Sequence, residues 1–440
     1  MPNKRYIVDP LYGNIFLPDY LWKILQSPEL QRLREIRLCN INSLCLTGGA
    51  NINRYEHAIG TCHLAIECSR EWFFNTNFSQ KDLIKFYIAA LVHDIANSAF
   101  GHSIEYIEKK EGFNPEEAFV KLIFGDKSGY TYHNLEFEPV FFGLQKRLPK
   151  ILIDDLKLSD NDIKDIGDFI SGKGKFGKLI SNRIDLDNID NVFRLAYHIG
   201  IKFNHTTPML LAKSLFINNL GQLTLKDNSV SLVLEWLQIR KKLYDLLLLN
   251  KDEFSGKAML TEAIEKSKIE NLKPFHWYDT DWRILEKLSY ISAENKQIIS
   301  RLITGDLYGC LGVFSSTDLN ILYKINDFNL KKEFEIRLSQ ILRQISKEAL
   351  FSSMEIYSHI IVDKGKTERQ VEFFNTEGEK IIIGQNSSKV LIGLFFRNLN
   401  LNMLFSESIP EPKLNFLKEE TKSFLNKFFS TNFTIIDHYV

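Results

Sequence analysis

The stretch LVHDIANSAFGH, residues 91–102, places His93 beside Asp94 at the end of an apolar run. A carboxylate on a buried face is costly unless something pairs with it, and an imidazole next to it can reach the same point. A structural capping pair would look the same, so two further positions matter. His57 stands in NRYEH, 36 residues before His93, and Asp187 stands in NRIDLDNIDNVFRLAYHIG. In the latter, Leu186, Ile189, Phe193 and Ala196 form an apolar stripe, and Asp187, Asn191, Arg194 and His198 a polar one. If these helices pack with polar stripes inward, His57, His93, Asp94 and Asp187 converge. Two imidazoles and two carboxylates make a plausible site for a divalent transition metal.

Helical grammar surrounds these positions. SQKDLIKFYIAALVHDIA predicts a helix over 79–96, opened by Ser79 and carrying Leu83, Tyr87, Ala90 and Leu91 at helical spacing. SPELQRLREIRL predicts another over 27–38, with Ser27 as N-cap and Pro28 at the first helical position. The 1–25 segment, with Pro10, Gly13 and Pro18, reads as an extended arm with a turn. A loop over 46–51 precedes a helix through RYEHAIGTCHLAIECSREWF, and long helices are expected near 181–200 and 230–250. SGKGKFGK (171–178) reads as a mobile Gly-rich loop without the spacing of a nucleotide P-loop. From 351 on, SHIIVDKG, QVEFFNTEGEKIIIG and KVLIGLFFRN are β-rich runs between turn residues. The expected fold is therefore mainly α: a helical body over 1–350 with the metal-binding core at about 50–200, and a small α+β lobe over 351–440.

Lys+Arg and Asp+Glu both number 55, so net charge gives no case for nucleic acid or an anionic membrane. Cys39, Cys45, Cys62, Cys68 and Cys310 are scattered, which suits reduced thiols. No secretory h-region and no apolar run long enough to span a bilayer are visible, so a soluble cytoplasmic protein is expected.

In chain order these segments resemble the HD-domain phosphohydrolases, and within them the deoxynucleoside triphosphate triphosphohydrolases. DPLYGNIFLP, SPELQRLREIRL, NRYEHAIGTCHLA, LVHDIANSAFGH and NRIDLDNIDNVFRLAYHIG each parallel a motif of that family, with IISRLITGDLYGCLG a weaker match. The resemblance covers roughly residues 5–315. It implies an HD-domain helical body in which His57, His93, Asp94 and Asp187 ligate a divalent ion (Mn, Fe, Mg or Zn). It also implies phosphate contacts from Arg54 and Arg240, whose fork-shaped guanidinium groups suit phosphate oxygens. Read without the resemblance, Arg240 could be a solvated helix arginine.

The chain departs from the family pattern around the substrate. Asn97 stands where a proton-donating histidine is common; it can bond a phosphate but cannot act as a general acid. His102 becomes the candidate proton carrier, or a surface histidine. Leu38 and Cys39 replace a sugar-reading pair, Asn188 and Asn191 replace a lysine and a phosphate-contacting tyrosine, and Leu195 replaces an acid. His63 reads as a packing residue, and His198 could serve the helix dipole. The expected activity is hydrolysis of deoxynucleoside triphosphates to deoxynucleoside and triphosphate. The alternatives are another nucleotide phosphoester as substrate, or a nucleotide sensor with faded hydrolysis. Gln31 and Arg34 match positions of an allosteric nucleotide site between subunits, implying a homo-oligomer with a nucleotide effector. A plain surface helix is the other reading of that segment.

Overall fold

The computed structural model describes residues 5–39, 51–70, 78–101, 115–124, 146–269, 279–325, 328–346, 354–365, 367–397 and 411–436. His102 and Cys45 lie outside them, as does the 46–50 part of the expected loop. The chain opens with the hairpin β1 (Ile7–Asp9) and β2 (Gly13–Ile15), in which Ile7 pairs with Ile15. Asp9 Oδ1 accepts the backbone N–H groups of Leu11 and Tyr12 at 2.9 Å each and so shapes the turn. Helix α1 (Asp19–Leu25) follows where an extended arm was expected; it buries Leu21, Ile24 and Leu25 on one face.

Helix α2 (Pro28–Arg32) begins as read, with Ser27 capping and Pro28 at its first position, but it is shorter than expected. A 3₁₀ turn at Leu33–Glu35 follows, and Ile36 is extended. The reason is tertiary pairing. Ile36 O accepts the Arg54 N–H and Leu38 N–H reaches Ile52 O, so the backbone pairs with the approach to the next helix.

That helix, α3 (Arg54–Arg70), is buried along most of its length and packs against α4 (Gln80–Val92). Helix α4 starts with a capping box, Ser79 and Asp82 each bonding the other's backbone N–H. It stops at Val92, earlier than the periodicity predicts, and His93–Ala96 form turns. The cause is the His93 side chain: its Nδ1 takes the Ala90 carbonyl at 2.9 Å, the acceptor that a continued helix would offer to Asp94.

Further helices are α5 (Pro115–Phe124), α6 (Asp160–Ile170), α7 (Leu186–His198) and α8 (Thr207–Ser214); α7 and α8 also pack on α3. The SGKGKFGK segment is a compact turn rather than the free loop expected. Gly172 and Gly174 take φ +77° and +67°, and Phe176 is fully buried against Phe86 and Phe169. Strands β3 (Leu215–Ile217) and β4 (Leu223–Leu225) lead to the helices α9 (Val230–Leu249), α10 (Lys251–Ile269), α11 (Asp281–Ser289) and α12 (Ala293–Thr304).

The β-rich end is built with strands from the helical part. Strand β5 (Gly309–Ser316), helix α13 (Phe328–Ser346), β6 (Ile356–Lys364), β7 (Val371–Phe374), β8 (Lys380–Ile383), β9 (Ser388–Phe396), α14 (Glu411–Phe429) and β10 (Thr434–Ile436) complete the chain. One sheet runs β10-β5-β9-β6, antiparallel throughout; the other runs β3-β4-β7-β8, with β4 and β7 parallel. The architecture is thus the mainly helical body with a small α+β part that the sequence suggests. Among the described residues no helix is long and apolar enough to cross a membrane, and Cys39, Cys62, Cys68 and Cys310 are free thiols.

Candidate metal centre

Three elements deliver the chemistry-bearing residues. The first turn of α3 carries His57, the turn after α4 carries His93 and Asp94, and the first turn of α7 carries Asp187. The ligand atoms of His57, His93 and Asp94 all lie within 4.8 Å of one another. His57 Nε2 is 3.2 Å from His93 Nε2 and 2.9 Å from Asp187 Oδ1. Asp187 Oδ1 is 3.7 Å from His93 Nε2, and Asp94 Oδ2 is 3.7 and 3.9 Å from the two Nε2 atoms. The structure therefore brings together all four residues that the sequence grouped.

The outer contacts decide what these atoms can do. Nδ1 of His93 faces a backbone carbonyl, which only accepts, so Nδ1 carries the proton and a neutral ring turns the Nε2 lone pair inward. Nδ1 of His57 sits 2.7 Å from Asp190 Oδ2, a carboxylate held ionised at about 2: burial works against its charge, but Arg194 and His57 outweigh it. His57 in the same tautomer also aims a lone pair inward. Two imidazole lone pairs and the oxygens of Asp94 and Asp187 then face one point with no proton between them. Such an acceptor-only cluster is stable only around a cation. Without one, His57 is driven to keep a proton: burial disfavours its charge, yet Asp187 and Asp190 lift it to about 10. The mixed nitrogen and oxygen donors fit a divalent metal ion, and the set leaves its identity open.

Asp94 is firmly ionised. Burial opposes its charge, but Arg54 and the two imidazoles hold its carboxyl well below the usual range. Arg54 Nη1 donates to Asp94 Oδ2 at 2.7 Å and Asn97 Nδ2 to Asp94 Oδ1 at 2.5 Å. Both residues were read as substrate contacts; here both brace a ligand. The centre opens on one side: Asp187 exposes 33% of its side chain, whereas His57 exposes 1% and His93 6%. Catalytic metal sites keep such an open position.

Asn191, one turn after Asp187 on α7, has a buried Oδ1 with no partner among the described residues. Arg240 on α9 is only 4% exposed, which excludes the solvated-arginine reading; its Nη1 reaches Asn188 Oδ1 at 3.4 Å and its guanidinium lies 4.4 Å from the Tyr244 ring. Gln31 and Arg34 bond each other at 2.9 Å, and Arg34 is exposed and lies over Tyr55. Among the described residues their side-chain hydrogen bonds run to each other and to the Leu25 carbonyl, not to the metal cluster. His63 is buried beside Tyr12, and burial pushes it down to about 4, as suits a packing residue. His198 bonds Glu56 at 2.8 Å.

Several supporting residues were not singled out for these roles from the sequence. Asp190 orients His57 and is itself held by both arms of the Arg194 guanidinium at 2.9 Å. Arg194, fully buried, also donates to Asp9 at 2.9 Å and Glu56 at 2.7 Å, tying the β1–β2 turn to the centre. Gly60 leaves room for this: a Cβ there would stand 2.0 Å from Asp190 Oδ1 and 2.2 Å from Arg194 Nη2. Buried Arg32 of α2 donates to the carbonyls of Ile95 (3.3 Å), Asn97 (2.9 Å) and Asp279 (2.9 Å), clamping the turn that carries His93 and Asp94. The D-x-x-D spacing of Asp187 and Asp190 on one helix was a usable signal for the first of these. The remaining contacts join residues far apart in sequence.

Residues 54–131 match the family model for the HD domain. An uncharacterized protein of Methanocaldococcus jannaschii is 23% identical over 380 residues, covering 86% of this chain and 73% of its own length. The deoxynucleoside triphosphate triphosphohydrolase SAMHD1 of Danio rerio is 23% identical over 349 residues, covering 70% of this chain. The match spans 55% of that relative's length, so the chain corresponds to about half of it. A crystal structure of a phosphohydrolase from Bacteroides thetaiotaomicron superposes with a TM-score of 0.61 at 16% identity, over 88% of this chain and 99% of the other, which establishes a shared fold. The chain thus carries a segment that matches the HD domain, whose H…HD residues His57, His93 and Asp94 gather at one point beside Asp187, and it is similar in sequence to the deoxynucleoside triphosphate triphosphohydrolases.

Proposed function

We propose that this protein is a metal-dependent phosphohydrolase that converts deoxynucleoside triphosphates to deoxynucleoside and inorganic triphosphate. One observation carries the proposal: the ring nitrogens of His57 and His93 and the carboxylates of Asp94 and Asp187 converge on one point, with Asp187 partly exposed to solvent. Likeness to triphosphohydrolases over 70% of the chain supports the substrate class.

His57, His93, Asp94 and Asp187 would hold the ion. When bound, a divalent metal lowers the pKa of water and polarises a phosphoryl oxygen. The protein's own groups do the rest. Asp190 and the Ala90 carbonyl fix both imidazole tautomers, so neither ring has to reorganise during the reaction. Arg54, already beside Asp94, and Arg240 supply positive charge for the phosphate oxygens. Hydrolysis forms a bond from the water oxygen to the α-phosphorus and breaks the bond from that phosphorus to the 5′ oxygen. The 5′ oxygen takes up a proton, a task we assign to His102, because Asn97 has none to give. Asn97 instead keeps Asp94 in place.

Incubation with Mn or Mg and each deoxynucleoside triphosphate, singly and mixed, followed by ion-exchange separation, tests this. Deoxynucleoside plus tripolyphosphate is the expected product pair. Nucleoside monophosphate with pyrophosphate, or no turnover by metal-loaded protein, would sink it, and a panel of monophosphates and cyclic nucleotides would then decide between another phosphoester and a sensor. The proposal extends to a nucleotide effector held by Gln31 and Arg34 in a homo-oligomer. An active monomer whose mass is unchanged by nucleotide would remove that extension.

A further inference from the structure

Arg240 is nearly fully buried, and its Nε has no partner among the described residues. Its one described hydrogen bond is the long contact of Nη1 to Asn188 Oδ1, at 3.4 Å. The same oxygen accepts Nη1 of Arg369 at 3.0 Å, and Arg369 Nη2 reaches the Asn182 carbonyl at 3.3 Å. Arg369 stands in the segment just before β7, 181 residues away from Asn188. Two guanidinium groups thus meet on a single neutral oxygen. Among the described residues neither makes an ion pair with a carboxylate within 4.0 Å, whereas Arg194 and Arg397 each hold several.

Bringing two cations together in a partly dry place costs free energy, and one neutral oxygen cannot offset it. The balance on Arg369 agrees: burial first, then the charge of Arg240, bring it down to about 10 against the pull of Asp185 and Asp187. Of the two acids whose charge acts on Arg369, Asp187 is a proposed metal ligand, and Asp185 is already occupied, accepting the backbone N–H of Asn182 and Asn188 and the Asn188 side chain at 2.6–3.0 Å. What is missing is an anion with several oxygens, to which two planar forks can each present paired donors. Its place is near the metal centre, since the charge of Asp187 acts on Arg369 and both arginines bond Asn188, the next residue of α7.

We infer that Arg369 and Arg240 form a cradle for the phosphates of the substrate remote from the α-phosphorus, so that the C-terminal part of the chain reads the length of the phosphate chain. The inference rests on the proposed triphosphohydrolase activity and adds to it a binding residue and a basis for choosing triphosphate over monophosphate. The competing role for Arg369 is a purely structural tie between the β-rich part and α7. That tie would not depend on how many phosphates a ligand carries.

The test is calorimetric binding of inorganic tripolyphosphate and of orthophosphate to the full-length protein, alongside steady-state kinetics with deoxynucleoside triphosphates. Wild type, R369Q and R369K are compared, with melting curves to confirm folding. A lost pair of charge-assisted bonds corresponds to about a 10- to 100-fold effect. R369Q is expected to weaken tripolyphosphate by that factor and raise KM for the triphosphate, while orthophosphate binding and metal content stay unchanged. R369K, which keeps the charge and loses the fork, should fall between. Equal tripolyphosphate affinity in wild type and both variants would overturn the cradle, as would unchanged KM and kcat in R369Q with hydrolysis intact. Arg369-dependent tripolyphosphate binding by a protein that hydrolyses no nucleotide would sink the proposed activity and keep the cradle.

Discussion

At the scale of single residues, the proposed metal ligands depend on neighbours outside the ligand set. Asp190 fixes the tautomer of His57 through a 2.7 Å contact. An Asp190→Asn change offers an amide that can donate to Nδ1 and so move the ring proton to Nε2, where the ion should be. Loss of such a partner costs about 10- to 100-fold in metal affinity. Chelator competition should show that drop in D190N while the helical circular dichroism is retained; unchanged affinity would mean that Asp190 does not set the ring. Gly60 makes the companion case. In a helix interior Ala is better than Gly by about 1 kcal/mol. Here its Cβ would stand 2.0 Å from Asp190 Oδ1 and 2.2 Å from Arg194 Nη2, both anchored by further buried partners. Overpacking of that kind costs about 1–3 kcal/mol, so it outweighs the propensity gain. G60A should therefore melt below wild type and bind metal more weakly. A G60A protein more stable than wild type would show that the Asp190–Arg194 pair can move aside.

Individual elements show why the centre was legible and its supports were not. His57, His93, Asp94 and Asp187 could be found because metal chemistry restricts residue type, and because each sits at the start or end of a helix that periodicity reveals. The ends of those helices were less legible. Periodicity carries α4 to Ala96, but His93 Nδ1 takes the Ala90 carbonyl and ends it at Val92. In the same way α2 stops at Arg32 because the backbone around Ile36 pairs near Arg54, a partner no local pattern names. Helix α2 then acts as a brace. Arg32 donates to the carbonyls of Ile95, Asn97 and Asp279, and so holds the turn bearing two ligands against the rest of the body. Replacing it with Leu leaves three carbonyls short of that donor, at about 1–3 kcal/mol for each one that water cannot reach. R32L should lower the denaturation midpoint by an amount equivalent to several kcal/mol and weaken metal binding as the turn loosens. Lys cannot span the same carbonyls with one ammonium, so R32K should recover little. Wild-type stability in R32L would contradict the brace.

For the whole molecule, the division of labour runs along the chain. All four proposed metal ligands lie between His57 and Asp187, yet the sheets are made from both parts of the sequence. Strand β5 is flanked by β9 and β10, and β4 by β7. Seven of its eight residues are buried. A chain ending at residue 350 would leave both edges of β5 unpaired and apolar, and unmade buried hydrogen bonds with exposed edges favour aggregation. It would also lack Arg369 on Asn188. Residues 1–350 alone should therefore be insoluble or melt without a cooperative transition, as expression and thermal circular dichroism would show. Should that fragment instead fold cooperatively, the body is self-sufficient, and the two functions separate cleanly. It would then be expected to keep the metal, whose ligands it contains, and to lose the preference for tripolyphosphate over orthophosphate. If it kept that preference too, the phosphate chain is read within the body and the β-rich part has another task.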